Sequence, residues 1–230
     1  NWFKELKHKE GWSSVPLWME KRWLVNFGEK GLSKLIDFIN KPPENFVRCD
    51  FDYNLMDKNI SLLEAEGIKT EIHSNNFLKV LSNKSKVLSS KLFKNGKISF
   101  QSPSAAAIVD CLGIEEGDVV LDVCAAPGTK TLQLANLVGD SGFIYASDIS
   151  PERVSSGKKD EERHGKKNIN WSLKDATKDV YCEADKILID APCSGTGVIG
   201  RRTDIRWRRR ESDLKKFVNI QLSIISNCSK

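Results

Sequence analysis

Residues 118–131 read DVVLDVCAAPGTKT, and residues 190–197 read DAPCSGTG. Each stretch follows or contains a short apolar run that ends in a carboxylate and then breaks into small residues and a proline. In the first, Val119, Val120, Leu121 and Val123 predict a buried parallel strand, because a strand covered on both faces loses its polar alternation. Asp122 falls near its carboxyl end. Ala125, Ala126, Pro127 and Gly128 predict a tight turn. Residues 129–138 place Leu132, Leu134, Ala135, Leu137 and Val138 at spacings that suit a helix. Strand, turn and helix in that order belong to an open α/β sheet, where ligands bind outside the carboxyl ends of the strands and helix starts offer free N–H groups.

The turn excludes two ligand classes. A phosphate loop of the Walker type needs glycine, four residues and then Gly-Lys, whereas here the lysine follows Gly128 and Thr129. A dinucleotide fingerprint needs three glycines, and only Gly128 is present. A ligand carrying one carboxylate and one ammonium fits: Lys130 and the helix start suit the anion, Asp122 the cation. The bland alternative is an ordinary strand-to-helix turn with a surface lysine.

Further carboxylates continue the pattern. Asp148 ends the next predicted strand (143–147), 26 residues after Asp122; an acid about 20 residues beyond such a turn is the usual partner of a ribose diol. Arg153, on the helix that follows, is placed to position it. The third strand, 169–173, leads to Asp175, which suits an exocyclic amine such as adenine N6. Three strands ending in carboxylates describe an adenosine pocket.

Together, the segment from Asp122 to Thr131, Asp148, Asp175 and the DAPCSGTG run resemble the RNA (cytosine-5)-methyltransferase family, in its bacterial RsmB type. The resemblance covers nearly the whole chain: SVPLW at 14–18, GKISFQ at 96–101 and the stretch from Asp204 to Gln221 also fit it. Ser102 stands where an Asp is common, and Thr129 where a Gly is frequent. The resemblance implies a Rossmann-like α/β sheet that binds S-adenosylmethionine, truncated here at its C-terminal side. It implies cofactor contacts from Cys124, Ala125, Ala126, Pro127, Gly128, Thr129, Lys130, Asp148, Arg153, Asp175 and Asp190. Its substrate class is small-subunit ribosomal RNA.

Chemistry follows from the second motif, which begins at the predicted strand 187–190. Carbon-5 of cytosine is a poor nucleophile, so a thiolate must first add to carbon-6 to make an enamine that attacks a methyl donor. Asp190 suits the contact to N3. Cys193 has three readings: nucleophile, as in DNA cytosine-5 enzymes; product-release thiol, as the RNA family implies; or an inert buried cysteine. In the RNA family the nucleophile lies in a Thr-Cys after the following strand, and family spacing puts it near position 243 (about 50 residues after Cys193), beyond Lys230. Cys228 is not that residue, because residues 212–230 predict a helix with Leu214, Phe217, Val218, Leu222 and Ile225 on one face. Two rivals stand beside this reading: a module that binds cofactor and RNA without turnover, and a DNA-type enzyme attacking through Cys193.

Composition sets the remaining bounds. The 230 residues suffice for one substantial core plus a smaller domain. The six cysteines include no CxxC pair, so neither zinc nor a disulfide framework is indicated, and reduced, cytoplasmic thiols are expected. No apolar run approaches the roughly 20 residues of a membrane span. The net charge of +5 is concentrated: residues 72–109 hold six lysines and no acid, and residues 201–210 hold six arginines and one aspartate. Such clusters favour phosphate backbones over a merely solvated face once the motifs are counted. Trp207, among the arginines, suits stacking on a base, but packing is the favoured role.

In chain order, residues 1–44 are expected to be a helical linker, its first residue Asn rather than Met marking a fragment whose NusB-like domain is missing. Its helices are predicted over 16–28 and 30–40, with Trp2, Trp12, Trp18 and Trp23 as core. Residues 45–102 are expected to form a small α+β, RRM-like RNA-binding subdomain: strand 46–51, helix 54–66 stopped by Gly67, strands 69–72 and 77–81, then a basic loop over 84–96. Residues 103–230, opening on a helix at 103–112, form the methyltransferase domain. A monomer is expected.

Overall fold

The computed structural model describes residues 13–50 and 53–230. They group into two compact units, one holding the chain up to Pro43 together with Pro192–Leu222, the other holding Glu44–Ala191 and Ser223–Lys230.

The second unit carries two sheets. The larger is built from β5 (Val119–Val123), β6 (Phe143–Asp148), β7 (Ile169–Leu173) and β8 (Lys186–Ile189), all parallel, in the order β7-β6-β5-β8. The order runs outward in one direction from β5 to β7 and then reverses to β8, so the crevice between the carboxyl ends of β5 and β8 is the switch point where such sheets bind ligands. The helices α5 (Pro103–Asp110), α6 (Thr129–Leu137) and α7 (Pro151–His164) alternate with these strands. On one face Val120, Ile144, Ala146 and Leu188 pack with Leu132, Ala135, Val154 and Trp171. On the other, Leu121, Val123, Ile187 and Ile189 pack with Ala176, Ile224 and Cys228. That double cover is why β5 reads as an unbroken apolar run. The fold is Rossmann-like, as expected.

The smaller sheet is antiparallel, in the order β2-β3-β1-β4, from β1 (Asn45–Cys49), β2 (Thr70–Ser74), β3 (Phe77–Val80) and β4 (Ile98–Phe100). Helix α2 (Met56–Ala65) supplies Met56 and Leu63 to its core, beside Val47, Leu78 and Ile98. The basic segment expected as a loop over 84–96 is instead two short helices, α3 (Lys84–Ser89) and α4 (Lys91–Lys94). Their starts are capped by Asn83, which accepts from Ser85 N, and Ser90, which accepts from Phe93 N, while Val87 and Leu92 anchor them in the core. Charge frequency hid these caps. Gly96 follows at φ 65°, and a Cβ there would lie 2.4 Å from the carbonyl oxygen of Arg163 on α7.

In the first unit, α1 (Leu17–Ile39) is broken internally at Gly28, whose φ of 65° and ψ of 177° separate the two helical stretches expected from the sequence. Trp23 is buried with Val15, Met19, Ile39, Ile199 and Ile205, and Trp18 packs against that cluster; Trp2 and Trp12 lie outside the described residues. Helix α8 (Ile205–Arg208) brings Arg206 into the interior. Its Nη1 donates to Ser14 O at 3.1 Å and Asn40 Oδ1 at 2.7 Å, and its Nη2 to Ile39 O at 2.7 Å. Arg206 therefore leaves the set of candidate phosphate ligands. Trp207, assigned to packing, is instead 60 % exposed, because the short helix turns Arg206 and not its neighbour inward. Helix α9 (Glu211–Cys228) closes the chain, and among the described residues no helix is long and apolar enough to cross a membrane.

Gly96→Ala is expected to destabilise the protein by roughly 1–3 kcal/mol, from the left-handed backbone and the overpacked contact. Urea unfolding followed by circular dichroism measures it, with Gly113→Ala as a reference at positive φ with open space around its Cβ.

Candidate active site

Strand β5 ends in the turn over residues 124–128, and its geometry is tight. Cys124 adopts φ 63°, uncommon for a residue with a side chain. Gly128 caps α6 at φ 105°, and a Cβ on it would lie 2.9 Å from the Trp171 ring. The same ring would meet a Cβ on Gly157 of α7 at 2.5 Å. Trp171 thus fills the space that two glycines leave, and holds the turn from beneath.

Asp122 is fully buried. Its Oδ2 accepts from Thr131 Oγ1 at 2.6 Å, while its Oδ1 has no partner. Burial pushes the carboxyl up to about 7; the Thr131 hydroxyl opposes this, the neighbouring Asp190 carboxylate adds to it, and Lys130 pulls the other way. Lys130 Nζ donates to Asp190 Oδ2 at 2.7 Å, an ion pair spanning the β5–β8 switch point. Cys124, half-buried near Asp148 and Asp190, is raised to about 11, chiefly by burial, so it stays a thiol.

Asp148, at the end of β6, is 2 % exposed. Its Oδ2 accepts from Ala126 N at 3.2 Å and its Oδ1 from Ser150 N at 3.0 Å. Arg153 Nη1 lies 3.2 Å from Asp148 Oδ2, and Arg153 Nη2 donates to the Ala126 carbonyl. The Arg153 side chain is about half exposed and covers the carboxylate from the solvent side. Asp175, beyond β7, is half-buried and engaged by its own turn: Oδ1 accepts from Thr177 N at 3.0 Å and Thr177 Oγ1 at 2.7 Å, and Lys178 lies at 3.4 Å. The Thr177 hydroxyl holds its carboxyl below the ordinary value.

The structure thus brings Cys124 through Lys130, Asp148, Arg153 and Asp190 to the carboxyl edge of one sheet, whereas Asp175 is engaged by its own turn. Thr131 and Trp171 escaped the sequence reading. Thr131 lies inside the motif, only nine residues from Asp122, but its side chain has no assigned role there; Trp171 acts on Gly128 and Gly157 from another strand, which nothing local marks. Cys193, exposed, belongs to the other compact unit. There Arg209 Nε donates to Ser194 O at 3.1 Å and Gln221 Nε2 to Pro192 O at 2.9 Å, fixing the backbone on both sides of it. Cys228 lies on α9, the helix expected there, and is buried.

Residues 109–230 match the family described as 16S rRNA methyltransferase RsmB/F. The chain is 30% identical over 219 residues to the probable ribosomal RNA small subunit methyltransferase B of Bacillus subtilis (strain 168), covering 93% of this chain and 48% of that protein. It is also 30% identical over 214 residues to ribosomal RNA small subunit methyltransferase B of Escherichia coli (strain SMS-3-5 / SECEC), covering 91% and 49%. The chain therefore spans about half the length of the curated relatives it matches. Among solved structures, PH0851 superposes with a TM-score of 0.86 at 29% identity, over 95% of this chain and 51% of that one. NSun6 from Pyrococcus horikoshii, solved with SFG, shares the fold with a TM-score of 0.80 at 20% identity, over 94% and 79%.

The raised carboxyl of Asp122 carries a pH signature. Its folded value is about 7 against an ordinary 3.8, so the folded state holds the proton between those values, and the contribution is full below about pH 4 and lost as pH rises through 7. His164, lowered to about 4 by burial, acts in the opposite sense and is common to both proteins compared. Relative to wild type, Asp122→Asn is expected to gain stability as pH rises from 4 to 7, by up to about 1.4 kcal/mol per pH unit. Urea midpoints across that range read the difference.

Proposed function

Because the chain belongs to the 16S rRNA methyltransferase RsmB/F family, we propose that it binds S-adenosylmethionine at the carboxyl ends of β5, β6 and β8 and serves methylation of cytosine carbon-5 in small-subunit ribosomal RNA. The observation that carries this reading is the carboxylate set around the turn. Asp122 keeps a buried oxygen without a donor, which an ammonium group satisfies, and Lys130 stands beside it as a cation for a carboxylate. Asp148 presents a rigid carboxylate to a ribose diol once Arg153, its side-chain donor, gives way. The left-handed Gly128 lets the backbone approach the ligand closely. When bound, the cofactor supplies an electrophilic sulfonium methyl group.

The chain's own residues do the rest. Asp190, held by Lys130 and half exposed, is the proposed contact to cytosine N3. Cys193 is the proposed product-release thiol, assisting departure of the attacking cysteine after the carbon-5 proton is removed. That attacking cysteine is proposed to lie in a Thr-Cys following residue 230. RNA phosphates are proposed to meet the exposed lysines of α3 and α4; within residues 201–210, Arg202 and Arg208 already face Asp204 and Arg206 is buried. The exposure of Cys193 keeps a second reading open to test, in which it attacks the base directly.

Asp148→Ala is expected to weaken S-adenosylmethionine binding by about 10- to 100-fold, the worth of about 1.5–3 kcal/mol of charge-assisted hydrogen bonding. Calorimetry decides, and an unchanged affinity removes the pocket from this turn.

Catalysis supplies a further prediction. Residues 1–230 alone are expected to transfer no methyl group, whereas a protein extended through the Thr-Cys transfers it and its Cys193→Ser variant traps a covalent RNA complex. Tritium transfer and a denaturing gel read both. Turnover by residues 1–230 that Cys193→Ser abolishes makes Cys193 the nucleophile instead.

A further inference from the structure

A second buried polar cluster joins the small sheet to the helices that frame the cofactor turn. Arg48 on β1 is 2 % exposed. Its guanidinium forks onto Asp50, Nε to Oδ1 at 2.9 Å and Nη2 to Oδ2 at 3.1 Å. Its Nη1 donates to Gln101 Oε1, to the Thr129 carbonyl at 3.3 Å and to Gln133 Oε1 at 3.5 Å. Asp50 also accepts from Asn136 Nδ2 at 2.9 Å and faces His164 Nδ1 at 3.6 Å. Burial keeps His164 neutral, and because its Nε2 accepts from Arg163 at 2.8 Å, its proton sits on Nδ1, toward Asp50.

A planar guanidinium with every nitrogen engaged is a fixed object in a way that a lysine is not. Thr129, whose carbonyl it holds, is the first residue of α6. The two residues after it are Lys130, which binds Asp190, and Thr131, which binds Asp122. We propose that Arg48 is a positioning residue for the amino-acid end of the cofactor, fixing through the Thr129 carbonyl the helix turn that aims Lys130 and Thr131. The small sheet is then part of the cofactor-binding body as well as a candidate RNA surface. The inference rests on the cofactor site proposed above.

A purely structural arginine and a positioning one are separated by two ligands. S-adenosylhomocysteine carries the amino-acid end; 5′-methylthioadenosine lacks it and retains the ribose that Asp148 addresses. Arg48→Lys and Asp50→Asn are titrated with both by calorimetry, alongside circular dichroism. The proposal expects S-adenosylhomocysteine to weaken by at least about tenfold and methylthioadenosine by less than about twofold, since misplaced charge-assisted contacts lose most of their worth. Equal weakening of both ligands, no weakening of either, or failure of both variants to fold overturns it. Wild-type protein that binds neither ligand removes the cofactor site itself, a different failure.

Discussion

The site is organised by the burial of one carboxylate. Asp122 stands at the end of a strand covered on both faces, where an ion without partners costs several kcal/mol in desolvation. The structure meets this cost incompletely. One oxygen takes the Thr131 hydroxyl, the other has nothing, and the carboxyl rises to about 7. Around it the remaining charges are paired: Lys130 with Asp190 and Arg153 with Asp148. Among these described carboxylates, Asp122 Oδ1 is a buried oxygen left without a donor.

The same turn explains why its residues are small. Gly128 and Gly157 lie against Trp171, and side chains at either position would enter the space of that ring. Ala126 gives its N–H to Asp148 and its carbonyl to Arg153, so the backbone itself is part of the electrostatic frame. Packing from below and hydrogen bonding from the side leave the turn little freedom, which is what preorganised recognition requires.

Much of this was legible in the sequence, for physical reasons. A buried parallel strand is a continuous apolar run, a close backbone approach needs small residues, and a carboxylate that closes or follows each apolar run marks the strand's carboxyl end; all three are local. What escaped was long-range. Arg48 meets Gln101 and Gln133 across 53 and 85 residues of chain, and Arg206 meets Ser14 across 192. Within the arginine run, Arg206 is buried and Trp207 exposed, a division that composition does not carry. In the lysine-rich segment over 84–96 the helices rest on two single caps, Asn83 and Ser90, a signal weaker than the run of charge around them.

The cofactor is proposed to sit on the turn following β5. Hydrogen–deuterium exchange of the free chain against the chain saturated with S-adenosylhomocysteine tests it most directly, because bound ligand suppresses local opening where it contacts the backbone. Slowed exchange is expected in the peptides containing residues 122–131 and 148–153, with the outer strands β2 and β3 unchanged. Binding that leaves residues 122–131 exchanging at their free rate, or that protects another surface instead, contradicts it.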